Sequence, residues 1–475
     1  MERIDYEKHH YTPLCGTLFT LMKLTPELIT KYNISGPRYT SYPTAPNWST
    51  TTSEKEYHTH LTTLKKNNAP LSLYIHIPFC EKQCYFCGCN VIIKKQKQSF
   101  GDTYLDYIEK ECRLITSSLG QSHPVRQIHI GGGTPTYLSD TQLQRLNTIL
   151  SHYFDCTTID EYSIEIDPRL FTEERLPTLQ KMGINRLSFG IQDFDKSVQD
   201  AINRHYDSDA FTQLLSQAQQ YHFSSINADL IYGLPYQTPQ KFQKTIDTIV
   251  TLKPDRLALY SFAYLPQLIS HHRLIKERHL PSPDEKIQLY LNAQTAFENA
   301  GYQSIAMDHF ALKTDDLAIA HTKGTMSRNF MGYTTMATKN YLGLGVSAIG
   351  YAHHAFFQNT KDLSTYYKEL DSNTLPIQRG AVLTKDDIIR QWVIFELMCK
   401  FKLDKSEFNQ KFNIAFDTYF KKEQAHLNHC ESEHLLQNGP VITISELGKL
   451  FIRNVCMGFD AYLKNKKETM FSKTV

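Results

Sequence analysis

The chain lacks any apolar run approaching the roughly 20 residues that a membrane-spanning helix needs, so no such span is expected. It also lacks an excess of either charge. Lys and Arg number 51 against 49 Asp and Glu, a formal net charge of +2. No whole-chain field therefore recruits nucleic acid or an anionic membrane. Met1-Glu-Arg-Ile-Asp5 supplies no basic n-region, and Leu14 to Leu21 is short and interrupted by Cys15, Gly16 and Thr17. No secretory signal is expected. Internal repeats and low-complexity tracts are absent too. The 10 cysteines, four of them clustered, do not form the pattern of an extracellular disulfide framework. They fit a reducing cytoplasm, the expected location, where thiolates stay available as ligands.

What is present begins with Cys80-Glu-Lys-Gln-Cys84-Tyr-Phe-Cys87-Gly-Cys89, four cysteines in ten residues. It follows the apolar run Leu71–Ile77 directly. Spacings of four and three residues let Cys80, Cys84 and Cys87 converge on a compact centre. Soft thiolates suit an iron–sulfur cluster, and a cluster held by three of them keeps one iron open for a substrate or cofactor. The alternative is a structural zinc knot with Cys89 or His76 as fourth ligand. The C-x3-C spacing, wider than a zinc knuckle's first pair, favours the cluster.

From residue 71 onward, short β-branched runs alternate with amphipathic stretches. Strands are expected at Leu71–Ile77, Val125–Ile130, Glu161–Ile166, Asn185–Gly190, Ile226–Tyr232 and Arg256–Phe262. Between them lie helices, one opened by a capping box at Ser139-Asp-Thr-Gln142. Such alternation predicts a parallel α/β sheet with right-handed crossovers, and six units are too few for a closed eight-stranded barrel. After about residue 365 the alternation stops. A small, mostly helical C-terminal domain, winged-helix-like in outline, is expected over 365–475, with helices at Asp386–Lys402 and Glu446–Leu463 and a strand at Val441–Ile444. Residues 71–364 form the barrel, 24–70 an N-terminal segment at the substrate site, and 1–23 an unmatched extension, with Met22 as the expected natural start.

In parallel α/β barrels the functional side chains lie at the C-terminal ends of the strands. Gly131-Gly-Gly133-Thr134 falls there, where glycines let backbone amides approach a ligand. Glu165, Gln192 and Asp229 fall there as well. Taken singly, each has an ordinary structural explanation, as a tight turn or a paired charge; on successive strands they predict one polar site.

The cysteine spacing, with an aromatic residue before the third cysteine, resembles the radical S-adenosylmethionine (SAM) superfamily. Within it, Tyr74-Ile-His-Ile-Pro-Phe-Cys80, Cys89-Asn90 and Gly36-Pro-Arg-Tyr-Thr-Ser-Tyr-Pro43 look like the oxygen-independent coproporphyrinogen III oxidase family. Gly131–Thr136, Ser163–Pro168, Gly190–Phe194, Asp229–Pro235, Met307–Phe310 and Arg453–Cys456 follow in the same order. The resemblance implies an open, partial (β/α)6 barrel and a [4Fe–4S] cluster on Cys80, Cys84 and Cys87. Two SAM molecules are implied. Tyr74, Gly132, Glu165 and Ile349 match positions for the first, and Phe86, Gly133, Thr134, Gln192, Arg204, Asp229 and Ala263 positions for the second. His76 and Cys89 are candidates for a catalytic role. Arg38, Tyr39, Tyr42 and Arg328 are candidates for the propionates of a tetrapyrrole substrate.

The implied reaction belongs to haem biosynthesis. It converts two propionates of coproporphyrinogen III to vinyl groups, giving protoporphyrinogen IX. A 5′-deoxyadenosyl radical replaces oxygen, and a flavodoxin or ferredoxin donates electrons to a monomeric enzyme. The rivals are a haem-binding chaperone, a radical SAM protein that opens haem by methyl transfer, and a diverged relative with another tetrapyrrole substrate. Cys89 and the Gly36–Pro43 segment count against the first, and that segment against the second. Two departures bear on the last: Met331 stands where the family pattern has glutamine and Asn340 where it has aspartate. Both are expected close to the active-site mouth.

Overall fold

In six runs along the chain apolar residues recur mostly at every second place, the period of a pleated strand. In the computed structural model, which describes residues 24–95, 98–120, 122–335, 339–463 and 471–475, all six are strands. They are β1 (Leu71–Ile77), β2 (His123–Gly132), β3 (Glu161–Ile166), β4 (Arg186–Gln192), β5 (Ser225–Tyr232) and β6 (Arg256–Ser261), each within two residues of the expected bounds. They pair in parallel in the order β1-β2-β3-β4-β5-β6. Leu73, Ile75, Ile128, Ile130, Ile164, Leu187, Phe189 and Leu230 enter the core shared with the crossover helices. One of these, Asp140–Tyr153, opens on the Ser139/Gln142 capping box and buries Leu143, Leu146, Ile149 and Leu150.

A seventh parallel strand, β7 (Tyr341–Leu344), flanks β1 on its other side. Antiparallel β8 (Ile349–Ala352), β9 (Ala355–Asn359) and β10 (Ile377–Val382) continue the sheet. At the opposite edge, His309–Leu312 and Tyr302–Ser304 add antiparallel to β6. The two edges do not pair, so the barrel is open. The sheet thus runs on to Val382 instead of ending at residue 364. Turns and one short helix, Leu363–Asp371, join these late strands, so the strand–helix alternation stops while the sheet does not.

Beyond β10, helix Lys385–Lys400 leads into a domain whose helices pack beside a three-stranded sheet of Lys402–Asp404, Val441–Ile444 and Leu436–Asn438. The single helix expected over Glu446–Leu463 is two, Glu446–Leu450 and Ile452–Met457. Phe451 leaves the helical region (φ −111°, ψ 21°) and is fully buried, its ring 5.0 Å from that of Tyr32. The N-terminal segment belongs to this second core, through Leu24, Ile29, Tyr32, Tyr39 and Tyr42. Arg453 holds it by donating to the carbonyls of Gly36, Pro37 and Lys473. The expectations for residues 1–23 and Met22 lie outside the described residues.

Glu111, on helix Gln98–Leu119, is 1% exposed. It accepts from the Gly345 amide (2.7 Å), Asn359 Nδ2 (2.6 Å) and Tyr366 Oη (2.7 Å), and so pins the turn after β7. Burial pushes its carboxyl up to about 7 against the pull of those three bonds. A carboxyl raised in the folded state gives its full support below the unfolded value and loses it as pH climbs through the folded one. Stability is therefore expected to fall by about 3 kcal/mol between roughly pH 4.5 and 7 from this group. Glu111→Gln should flatten that slope, read from the pH dependence of the denaturant midpoint.

Candidate active site

The faces of β1 to β5 opposite the helices carry polar side chains, joined from strand to strand. Low on the wall, Ser72 Oγ donates to Gln127 Oε1 (2.8 Å), Gln127 Nε2 to Glu161 Oε1 (2.9 Å) and Arg186 Nη1 to Glu161 Oε2 (3.0 Å). Higher up, His129 Nδ1 lies 2.7 Å from Ser163 Oγ, and Asn227 Nδ2 donates to Ser188 Oγ (2.9 Å) and Asp229 Oδ1 (2.8 Å). Buried polar groups are affordable only when paired in this way.

At the C-terminal mouth the wall opens into a cavity. The end of β2 and the turn it enters form one side. Gly132 has φ +115°, and a Cβ there would sit 2.6 Å from His76 Nδ1. A Cβ on Gly131 would meet Glu165 Oε1 at 2.8 Å. Glu165 accepts from the Gly132 amide (3.0 Å) and lies 3.2 Å from His129 Nε2. Burial works to raise Glu165, but His129 and that amide outweigh it and hold the carboxyl below its ordinary value. Asp229 goes the other way, pushed up by burial and by the charge of Glu165. Gln192 follows a bulge in β4 with φ +70°, and its buried Oε1 has no hydrogen-bond partner. Such a bulge re-aims a side chain.

The cysteine loop forms the other side. Cys80, Cys84, Cys87 and Cys89 all line the cavity and none is in a disulfide. Cys80 Sγ lies 3.3 Å from Thr134 Oγ1, and burial pushes its thiol up to about 12. The Cys89 thiol, by hydrogen bonding to Cys87, lowers Cys87 to about 7 and is itself raised. Arg169 Nη2 and Arg204 Nη1 lie 3.4 and 3.5 Å from Cys84 Sγ. Both guanidiniums hold Asp167, whose carboxyl stays at about 2 although burial would raise it.

These residues fit an iron–sulfur cluster with a ligand at its open iron. No three His, Cys, Asp or Glu side chains among the described residues stand close enough to share one metal ion. A cluster that takes one thiolate per iron does not require it. Guanidiniums at Cys84 offset thiolate charge, and the orphaned Gln192 Oε1 awaits a donor.

Of the residues expected at the site, the structure brings Cys80, Cys84, Cys87, Cys89, Phe86, Gly132, Gly133, Thr134, Glu165, Gln192, Arg204 and Asp229 to this one cavity. Tyr74 and His76 stand behind it. His76 Nδ1 lies 3.0 Å from Tyr74 Oη and its Nε2 2.9 Å from the Asn90 carbonyl, so it positions the end of the cysteine loop. Ala263 follows β6, and Ile349 packs with Trp48 and Tyr341. Tyr39 and Tyr42 are corrected: both are buried in the second core, Tyr39 donating to Asp460 Oδ2 and Tyr42 Oη accepting from the Ala461 amide, each at 3.1 Å. These two rings of the motif are packing surface, buried in the second core. Arg328 is buried 4.3 Å above the Tyr333 ring with Asp308 4.0 Å away. Asn340 is also corrected. It precedes β7, accepts from the amides of Ser72 and His353, and so sits at the foot of the sheet, away from the mouth. Met331 packs in the Trp48 cluster.

Arg38 lines a second cavity with Tyr232, Ser261, Tyr290, Asp308 and Arg453. Burial, with the charges of Arg38 and Arg453, lowers neighbouring Lys286 to about 7. Arg453 falls to about 9 through burial and Arg38. Sequence reasoning missed His129, Asp167, Arg169 and Ser188, although polar residues at alternate strand positions were there to signal the wall that carries His129 and Ser188.

Two family models match the chain: the Radical SAM superfamily over residues 74–249 and the HemN C-terminal domain over 383–442, which begins one residue past β10. The oxygen-independent coproporphyrinogen III oxidase of Salmonella typhimurium is 43% identical over 450 residues, 94% of this chain and 98% of its own length. That of Synechocystis is 40% identical over 97% of this chain and 100% of its own. The solved structure of coproporphyrinogen III oxidase (HemN) from Escherichia coli, a radical SAM enzyme, superposes with a TM-score of 0.85 at 41% identity. It covers 91% of this chain and 100% of its own.

Arg169→Gln should weaken retention of iron after anaerobic reconstitution by roughly tenfold or more, since a charge-assisted hydrogen bond contributes on the order of 1.5–3 kcal/mol. Iron per chain and visible absorbance check this.

Proposed function

The chain belongs to the oxygen-independent coproporphyrinogen III oxidase family of the radical SAM superfamily, and from that premise we propose how its residues perform the reaction. It oxidatively decarboxylates two propionates of coproporphyrinogen III to vinyl groups, giving protoporphyrinogen IX without oxygen. The observation that carries the reading is the meeting of three cysteines, a glycine turn, and two carboxylates of opposite pKa shift in one cavity.

Cys80, Cys84 and Cys87 hold a [4Fe–4S] cluster. When bound, the reduced cluster and SAM supply the hydrogen-atom abstraction that precedes loss of CO2. Glu165, kept ionised by His129 and the Gly132 amide, accepts the ammonium of the first SAM. Gln192, Arg204 and Asp229 meet the second, the guanidinium suiting its carboxylate. Arg38, with Lys286 and Arg453 behind it, receives a substrate propionate; an anion placed there relieves the repulsion among these three clustered cations, of which Arg453 is buried. Arg328 stands next to Asp308, which lines the same cavity. The enzyme works as a monomer in the cytoplasm, with electrons from a flavodoxin or ferredoxin. No helix among the described residues is long and apolar enough to cross a membrane.

Anaerobic incubation with coproporphyrinogen III, SAM and a reductant should yield protoporphyrinogen IX, CO2, methionine and 5′-deoxyadenosine. SAM cleavage with the tetrapyrrole left unchanged would sink the substrate assignment. Glu165→Ala should retain the cluster yet weaken SAM binding roughly tenfold to a hundredfold by calorimetry. Arg38→Ala should raise KM for the tetrapyrrole while leaving SAM cleavage without substrate unchanged.

A further inference from the structure

The loop between β6 and helix Pro283–Asn299 folds over the outer side of the cysteine loop. His271 Nε2 lies 2.6 Å from the Cys87 carbonyl oxygen and His272 Nε2 3.2 Å from that of Phe86. Phe262 and Ile275 pack in one apolar cluster with Tyr85 and Phe86. The loop is therefore fixed to the segment that carries the cluster ligands.

Its outward face differs from the rest of the surface. Leu268 and Leu274 are 61% and 59% exposed, the two most exposed large apolar side chains among the described residues. Arg273, Lys276 and Arg278 are exposed beside them, and so is Lys82 of the cysteine loop. Glu277 is the only acid between residues 263 and 281. An apolar centre within a charged rim is the anatomy of a protein interface, and a rim of predominantly one sign, here positive despite Glu277 and Glu81, selects a partner of the other. The reaction also requires electrons delivered singly to the cluster, and this loop stands between the cluster's ligand loop and solvent.

We propose that the Leu268/Leu274 face, rimmed by Lys82, Arg273, Lys276 and Arg278, is the docking surface for a small acidic one-electron carrier protein. The proposal rests on the cluster assignment above. In each encounter the carrier is oxidised by one electron and the cluster reduced by one; no bond forms or breaks and no proton moves.

The test uses the cluster-loaded full chain and an acidic flavodoxin as probe. Binding of the oxidised flavodoxin is measured by calorimetry at low and high salt, and electron delivery by stopped-flow bleaching of the cluster absorbance. Arg273→Glu/Lys276→Glu should raise Kd and slow bleaching by at least about tenfold at low salt, and abolish most of the salt dependence. Leu268→Ser/Leu274→Ser should weaken binding at both salt concentrations. Reduction by dithionite should be the same in all variants, which shows that they fold and load. Unchanged binding and bleaching in both double variants overturns the proposal. So does wild-type protein that dithionite reduces and flavodoxin neither binds nor reduces. Wild-type protein that takes the flavodoxin electron but leaves coproporphyrinogen III unchanged supports the docking face and overturns the substrate reading alone.

Discussion

The hydrogen bond from the Gly132 amide to the Glu165 carboxylate ties the site together. It joins the end of β2 to the end of β3 and requires an uncrowded Gly131. It also helps keep a carboxyl that faces the cavity ionised. The same carboxyl reaches His129, whose other nitrogen reaches Ser163. His76, lodged where any Cβ on Gly132 would fall, carries the constraint across to Asn90 and the cysteine loop. The two sides of the cavity are thus held by a lattice of polar bonds and one steric contact.

That lattice explains what the sequence made legible. Strand positions follow from apolar residues at every second place, because one face of each strand must meet the helices; this holds from Leu71 to Ser261. Site residues at the strand ends, such as Glu165 and Asp229, follow from the same pattern. Arg169 could not be read this way: its role is defined by Cys84, 85 positions away in sequence, and by Asp167. The late strands β7 to β10 escaped a reading based on strand–helix alternation because turns connect most of them. Tyr39 and Tyr42 carry a strong motif, yet their hydroxyls meet Asp460 and Ala461, contacts that only the folded second core reveals.

The N-terminal segment has a double attachment. Its rings fill the C-terminal core, and Arg38 reaches the Ser261 carbonyl at the end of β6. It spans the seam between the barrel and the smaller domain, and the second cavity lies along that seam. Cations placed there, among Leu259, Ile287, Met307 and Leu450, need either the carbonyls that Arg453 and Lys286 now contact or an incoming anion.

The unpaired edges of the main sheet have a geometric consequence. In a closed barrel, strand number and shear fix the diameter. An arc whose ends never meet has no such closure condition, so its aperture is set by curvature and can widen without breaking a single interstrand bond. A bulky, flexible tetrapyrrole, its four rings joined by saturated bridges, is the sort of guest that such a horseshoe accommodates.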